Sequence, residues 1–132
     1  MNYEDIIERY SDYDNWEEGE NKAVSAEEEN FMINCLKEKF RKGEIINSVE
    51  FSLIFNDEIF PYEWGEIEEE GRHGWVARDF IISIEDNEHY MVHSWHHDDC
   101  GMEFESQIPC RCYYKEVKVM KWVREPKEDN CE

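Results

Sequence analysis

Hydrophobic residues recur at helical spacing near the start of the chain. In residues 2–13, the repeat is every three or four positions, at Tyr3, Ile6, Ile7 and Tyr10. This spacing predicts a short amphipathic helix. The polar stretch 14–24, which contains Gly19, predicts a loop.

A second helix is predicted over 25–42 by signals at both of its ends. Ser25 and Glu28 form a capping-box pattern, and Gly43 follows a cluster of basic residues at the other end. One hydrophobic stripe runs along the segment, at Phe31, Met32, Cys35, Leu36 and Phe40. A stripe of this kind indicates a core-facing surface rather than a cofactor site.

After Gly43 the hydrophobic period changes to two. Alternation over 48–55, at Val49, Phe51, Leu53 and Phe55, predicts a half-buried strand. Residues 56–74 are rich in glycine, acidic residues and other turn formers, and therefore predict a long irregular connection.

The remaining hydrophobic segments predict four strands. Segments 75–84 and 89–95 should pair as an antiparallel hairpin across the short loop 85–88. Segment 101–109 predicts a short strand, and 113–123 predicts a last strand with Val117, Val119 and Val123 on one face.

Together these elements predict an α+β fold with two N-terminal helices packed on a curled antiparallel sheet of about five strands. An SH3-like barrel with a helical extension is one version of this architecture. The 132 residues suit one domain. We expect residues 1–126 to form that single domain and residues 127–132 to form a flexible C-terminal tail.

The net charge of −20 changes the picture of function, because it comes from 34 acidic and only 14 basic side chains. Direct binding to nucleic acid or to an anionic membrane is disfavoured by electrostatic repulsion. A basic protein surface is the favoured partner.

The five cysteines are an odd number, and no export signal opens the chain, so reduced thiols in a cytoplasmic protein are expected. No apolar run approaches the roughly 20 residues that a membrane-spanning helix requires.

The segment 93–101 concentrates histidine, aspartate and cysteine. In a strand, His93 and Trp95 would share one face while Ser94 and His96 share the other. The favoured interpretation is a solvated turn, in which an aspartate bonds local amides and Gly101 adopts a positive φ.

Two other interpretations of this cluster stay open. A zinc site could draw on the 93–112 region, with the candidate ligands His96, His97, Cys100 and Cys110. Catalysis by Cys100 with a histidine would need an orienting group and an oxyanion pocket. We assign no catalytic residue, metal ligand or cofactor.

Acidic residues form patches along the chain, and in one of them they alternate with apolar residues. Carboxylates at the second helix start are explained by the helix dipole. In the segment 62–71, aromatic residues adjoin glutamates, a combination that suits a basic protein partner. The predicted partner-binding residues are Glu17, Glu18, Glu20, Tyr62, Glu63, Trp64, Glu66, Glu68, Glu69, Glu70, Asp98 and Asp99.

In size and charge the chain resembles small acidic inhibitors encoded by phages and mobile elements, including DNA-mimic and anti-CRISPR proteins. This likeness implies a non-enzymatic binder of a basic nucleic-acid-handling protein, such as a CRISPR effector or another defence nuclease. An immunity protein against a basic toxin, a small zinc-binding domain and an acidic domain without a dedicated partner are the alternatives.

Overall fold

The computed structural model describes residues 1–11 and 24–125. Three helices precede the sheet: α1 (Tyr3–Ser11), α2 (Ala26–Lys42) and α3 (Ser48–Asn56). Five strands follow: β1 (Tyr62–Glu70), β2 (Val76–Glu85), β3 (Glu88–His97), β4 (Gly101–Phe104) and β5 (Cys110–Cys112). The sheet is antiparallel in the order β1-β2-β3-β4, and β5 also pairs with β3.

This architecture confirms the predicted α+β fold with N-terminal helices. The sheet is curled and open rather than closed into a barrel. None of the helices in the described residues is long and apolar enough to cross a membrane.

The core lies between the helices and one face of the sheet. Phe40 of α2 contacts Tyr90 of β3 edge to face, with ring centroids 5.1 Å apart, and Phe51 of α3 packs on Phe104 of β4. We call the opposite side of the sheet the open face; it carries the half-buried side chains Ile81, Met91, His93 and Trp95.

The predicted end signals of α2 are confirmed. The Ser25 side chain accepts a hydrogen bond from the Glu28 amide, while the Glu28 carboxylate accepts from the Ser25 amide. Gly43 ends the helix in the left-handed conformation, with φ of 69°. Met32, Leu36 and Phe40 are buried, as the stripe predicts.

The strand predicted over 48–55 is wrong, because this segment forms helix α3. Asn47 and Glu50 build a second capping box, which fixes the first turn. Phe51, Leu53 and Ile54 are all buried, a spacing that fits one side of a helix and not one side of a strand.

The irregular connection predicted over 56–74 is also wrong in its centre, which forms strand β1. Tyr62 and Trp64 face the core and pair with Ile82 and Phe80 of β2. The register shifts twice beyond Trp64. The glutamates are compatible with a strand here because β1 has a neighbour on only one side, so their side chains reach solvent.

The predicted hairpin is confirmed, with β2 and β3 paired from Val76↔His96 to Glu85↔Glu88. The short strand predicted over 101–109 is present as β4. The last strand predicted over 113–123 is absent from the described residues; of residues 110–125, only Cys110–Cys112 forms a strand, which pairs with β3. Residues 14–23 of the predicted loop and the predicted tail 127–132 lie outside the described residues.

Candidate protein-binding surface

Basic side chains on and around α2 are paired with carboxylates. Five of these pairs join different elements of the fold: Arg9 with Glu28, Lys37 with Glu85 (2.6 Å), Lys39 with Glu50 (2.8 Å), Arg41 with Glu88 (2.8 Å) and Arg41 with Glu85 (3.8 Å). The hydrogen bond from Arg9 lowers the pKa of Glu28 to about 2. This region therefore neutralises much of its own negative charge.

Glu50 is the most buried member of this region, at 1% exposure. Its carboxylate accepts hydrogen bonds from Lys39 Nζ at 2.8 and 3.0 Å, from the Tyr3 hydroxyl and from the Asn47 amide. One charged group thus caps α3 and links α1, α2 and α3.

The glutamates of β1 are arranged differently. We call Glu63, Glu66, Glu68, Glu69 and Glu70 the acidic edge; all five are exposed. Within residues 1–11 and 24–125, none of them forms an ion pair with a lysine or arginine. The acidic edge therefore presents charge that the rest of the described chain leaves uncompensated.

Arg78 lies on the neighbouring strand but does not neutralise the acidic edge. Its guanidinium donates to the Gly65 carbonyl oxygen at 3.0 and 3.3 Å. It also lies 5.8 Å from the centre of the Trp64 ring. Arg78 therefore binds the β1 backbone at a register shift, and the carboxylates of the acidic edge remain exposed to solvent.

Glu68 joins a titratable cluster on the open face. It lies beside Asp79, and its Oε2 is 3.6 Å from His93 Nδ1. Burial, a hydrogen bond with Glu68 and the Glu68 charge together raise the pKa of Asp79 to about 6. At neutral pH Asp79 therefore adds a further negative charge beside Glu68 of the acidic edge.

The turn after β3 carries Asp98 and Asp99. The predicted solvated turn is confirmed, including a positive φ of 92° at Gly101. The amides of the turn, however, bond to His97: Nδ1 accepts from Asp99 N at 3.0 Å and from Cys100 N at 3.2 Å. The predicted bonding by the aspartates is wrong, and both carboxylates stay exposed.

This turn lies at the same end of the sheet as the last glutamates of β1. Val76 of β2 pairs with Glu70 on one side and with His96 on the other. The structure therefore brings the last glutamates of the acidic edge, Glu69 and Glu70, and the aspartates of the turn to one end of the sheet. No protein-family model matches this chain, and no curated protein or solved structure is significantly similar to it.

The two aromatic residues predicted to contact a partner are half-buried. Tyr62 and Trp64 pack on Phe80, with ring centroids 4.8 and 4.7 Å apart. Ile67 lies between the glutamates of β1, and its side chain is 54% exposed. The predicted Glu17, Glu18 and Glu20 lie outside the described residues.

The candidate zinc ligands are not brought together. His97 and Cys100 lie at the turn, whereas Cys110 pairs with Met91 near the other end of β3. Six residues of strand separate these positions, about 20 Å at the usual rise per residue. In the described part of the chain, no group of three or more histidine, cysteine and carboxylate side chains could hold a metal ion.

The predicted division of the histidines between two faces is confirmed. Ser94 is buried on the side of the helices, where its hydroxyl donates to the Arg78 carbonyl oxygen at 2.8 Å. His96 stacks on Trp64 on that same side, and His93 lies on the open face beside Glu68.

Sequence reasoning missed the contribution of Asp79 and His93 to the charge of this surface. Both lie on segments that were predicted as strands, but only the cross-strand register places them opposite each other and beside Glu68. The alternation of polar and apolar residues in β2 was the available signal, since it puts Asp79 on the open face.

Proposed function

We propose that this protein is a non-enzymatic acidic inhibitor, encoded by a phage or mobile element, that binds a basic nucleic-acid-handling protein in the cytoplasm. The partner is a defence nuclease such as a CRISPR effector, and the inhibitor occupies the groove that nucleic acid would fill. The supporting observation is the acidic edge, whose carboxylates have no lysine or arginine partner in the described residues while carboxylates around α2 do.

Carboxylates can replace phosphates in such a groove because arginine binds both with paired, charge-assisted hydrogen bonds. On β1 the carboxylates are carried by a strand whose backbone is already ordered by β2. Binding therefore costs less conformational entropy than it would for an acidic disordered segment.

Apolar surface within the acidic edge adds to the electrostatic attraction. Ile67 is exposed among the glutamates, and the partly exposed Trp64 lies on the same side of the strand. Apolar side chains surrounded by charged groups are typical of protein interfaces, in which a few desolvated anchors supply most of the affinity.

Competition with DNA tests this function. A panel of basic nucleases, including a CRISPR effector loaded with its guide RNA, is bound to immobilised duplex DNA at low salt. The wild-type protein should release at least one nuclease. A variant with Gln replacing Glu66, Glu68, Glu69 and Glu70 should need about tenfold more protein, which corresponds to about 1.4 kcal/mol.

The matched control removes the same amount of charge elsewhere, by replacing Glu4, Glu8, Glu27 and Glu44 with Gln. All four are exposed. The control should release the nuclease as well as the wild type does. Failure to release any nuclease at low salt, or equal loss of activity in the two variants, would contradict the proposal.

A further inference from the structure

The segment after β5 is exposed and carries hydrophobic residues. We call residues 113–125 the C-terminal arm; it contains no helix or strand. Five of its large hydrophobic side chains are between 67% and 103% exposed: Val117, Val119, Met120, Trp122 and Val123. Apolar surface of this extent marks a binding site in a folded protein.

We propose that the C-terminal arm of one copy adds as a strand to the free edge of β1 in a second copy, giving a symmetric dimer with two exchanged arms. This inference goes beyond the proposed function and does not depend on it. In the dimer the arm covers the acidic edge, so a nuclease binds that edge only when it displaces the arm.

The backbones of the two segments suit this pairing. β1 pairs with β2 alone, so its other side has an unpaired row of amides and carbonyls in the described structure. The C-terminal arm has no backbone hydrogen bond to any described residue. An extended segment that lies along a free edge satisfies both sets of groups at once.

The side chains of an extended arm match those of β1 in part. Val117, Val119 and Val123 would lie on one face of the arm together with Lys121, and Lys118 and Arg124 on the other together with Met120 and Trp122. On β1, Trp64 and Ile67 lie toward the helices and Glu63 and Glu68 on the open face. The three valines can therefore lie beside the apolar row while Lys118 and Arg124 lie beside the glutamates.

The net charge of the C-terminal arm is opposite to that of the β1 edge, which favours the arm as the segment that binds there. β1 carries five glutamates, so it repels the β1 strand of another copy. The C-terminal arm contains four cations, Lys115, Lys118, Lys121 and Arg124, against two glutamates. The arm therefore combines two properties: its net charge is opposite to that of the β1 edge, and its backbone has no hydrogen-bond partner in the described residues.

A second copy, rather than the same chain, supplies the arm. The arm begins after Cys112, which pairs with His89 on the side of β3 away from β2, and β1 lies on the far side of β2. Tyr113 and Tyr114 lie over the open face, where they line a cavity with Glu63 and Ile81. Beyond Tyr114 the large hydrophobic side chains of the arm are exposed, and no strand in the described residues pairs with it.

The mass of the full chain in solution, measured by light scattering over a range of concentrations, tests the proposal. At low salt the wild type should be a dimer that dissociates on dilution and on addition of salt. Val119→Pro should be a monomer, because proline removes a backbone donor from the arm. Val119→Thr, which keeps the donor and the strand propensity, should stay a dimer. A wild type that is monomeric throughout, or a proline variant that still dimerises, would overturn the proposal.

Charge reversal identifies the surface that the arm contacts. One variant carries Lys118→Glu and Arg124→Glu, and the other carries Glu63→Lys and Glu68→Lys. Each alone should be a monomer. The first variant places negative side chains at positions 118 and 124 beside Glu63 and Glu68, and the second places positive side chains at positions 63 and 68 beside Lys118 and Arg124. An equimolar mixture should form a heterodimer, since both exchanged contacts again join opposite charges. A mixture that stays monomeric, or reversed variants that dimerise alone, would show that the arm does not pair with β1.

Discussion

The surface around α2 and the edge formed by β1 are both rich in glutamate, but only the first is rich in cations. Around α2, Lys37, Lys39 and Arg41 reach across to carboxylates of α3, β2 and β3. Along β1, no glutamate has such a partner in the described residues. The net charge of the chain therefore says little by itself; the placement of a few cations decides which carboxylates hold the fold together and which are free for a partner.

The two regions should differ in what their carboxylates do for stability. Partly exposed ion pairs such as Lys37 with Glu85 contribute at most about 1 kcal/mol each. The carboxylates of the acidic edge repel one another and should slightly destabilise the fold. Substitutions in the first region should thus lower stability, and substitutions in the second should change binding.

The largest expected effect is at Glu50. Glu50→Ala leaves Lys39 and the Tyr3 hydroxyl without their shared acceptor and removes half of the α3 capping box. Breaking a buried pair on one side costs about 3–5 kcal/mol of unfolding free energy. Urea denaturation measures this cost. Glu44→Ala, at an exposed glutamate nearby in sequence, should change stability by less than about 0.5 kcal/mol.

A smaller loss of stability is expected from adding a side chain at Gly71, which follows the acidic edge. A methyl group there would lie 2.8 Å from Cζ3 of Trp95 and 3.2 Å from the Trp75 carbonyl oxygen. Gly71→Ala should therefore cost about 1–3 kcal/mol through overpacking, without any change in charge. Adding Trp95→Phe, which removes the crowded atom, should recover part of that loss. If the double variant is no more stable than the single one, crowding against Trp95 is not the cause.

The smallest expected effect is a gain in stability at Asp79. Its pKa is raised from 3.8 to about 6 in the folded state, so the folded protein retains a proton that the unfolded chain has lost. Stability should therefore fall as pH rises from about 4 to about 6. Asp79→Asn should remove that fall and stabilise the protein at pH 7 by about 1 kcal/mol, discounted because the group is partly exposed.

Thermal unfolding of the wild type and of Asp79→Asn from pH 4 to pH 7 checks this prediction. Parallel curves for the two proteins would show that burial and the neighbouring Glu68 do not raise the pKa of Asp79 in the folded protein.

Local signals in the sequence were sufficient for some elements and misleading for others. α2 was predicted because its capping box and terminal glycine are encoded within a few residues. α3 was missed because its short apolar run fits both a strand and a helix, and the deciding signal was the capping pair Asn47 and Glu50. β1 was missed because a glutamate-rich strand is stable only beside its neighbour β2.

The predicted strand over 113–123 shows the opposite error. Alternating valines give the segment strand propensity, but a strand also needs an edge to pair with, and no edge of its own chain is paired with it in the described structure. The acidic residues of the site could be predicted from composition. The sequence does not predict which carboxylates lack a cationic partner, because the pairs of Lys39 with Glu50 and of Arg41 with Glu88 depend on tertiary packing.

The salt dependence of binding tests the central claim most directly. The Gln variants at the acidic edge and at the control positions have the same net charge, four units less negative than the −20 of the wild type. For a nuclease that the wild type releases from DNA, affinity is measured against salt concentration with each variant. We predict a much weaker salt dependence for the edge variant and a nearly wild-type one for the control. Equal salt dependence in the two variants would show that total charge, and not the acidic edge, drives binding.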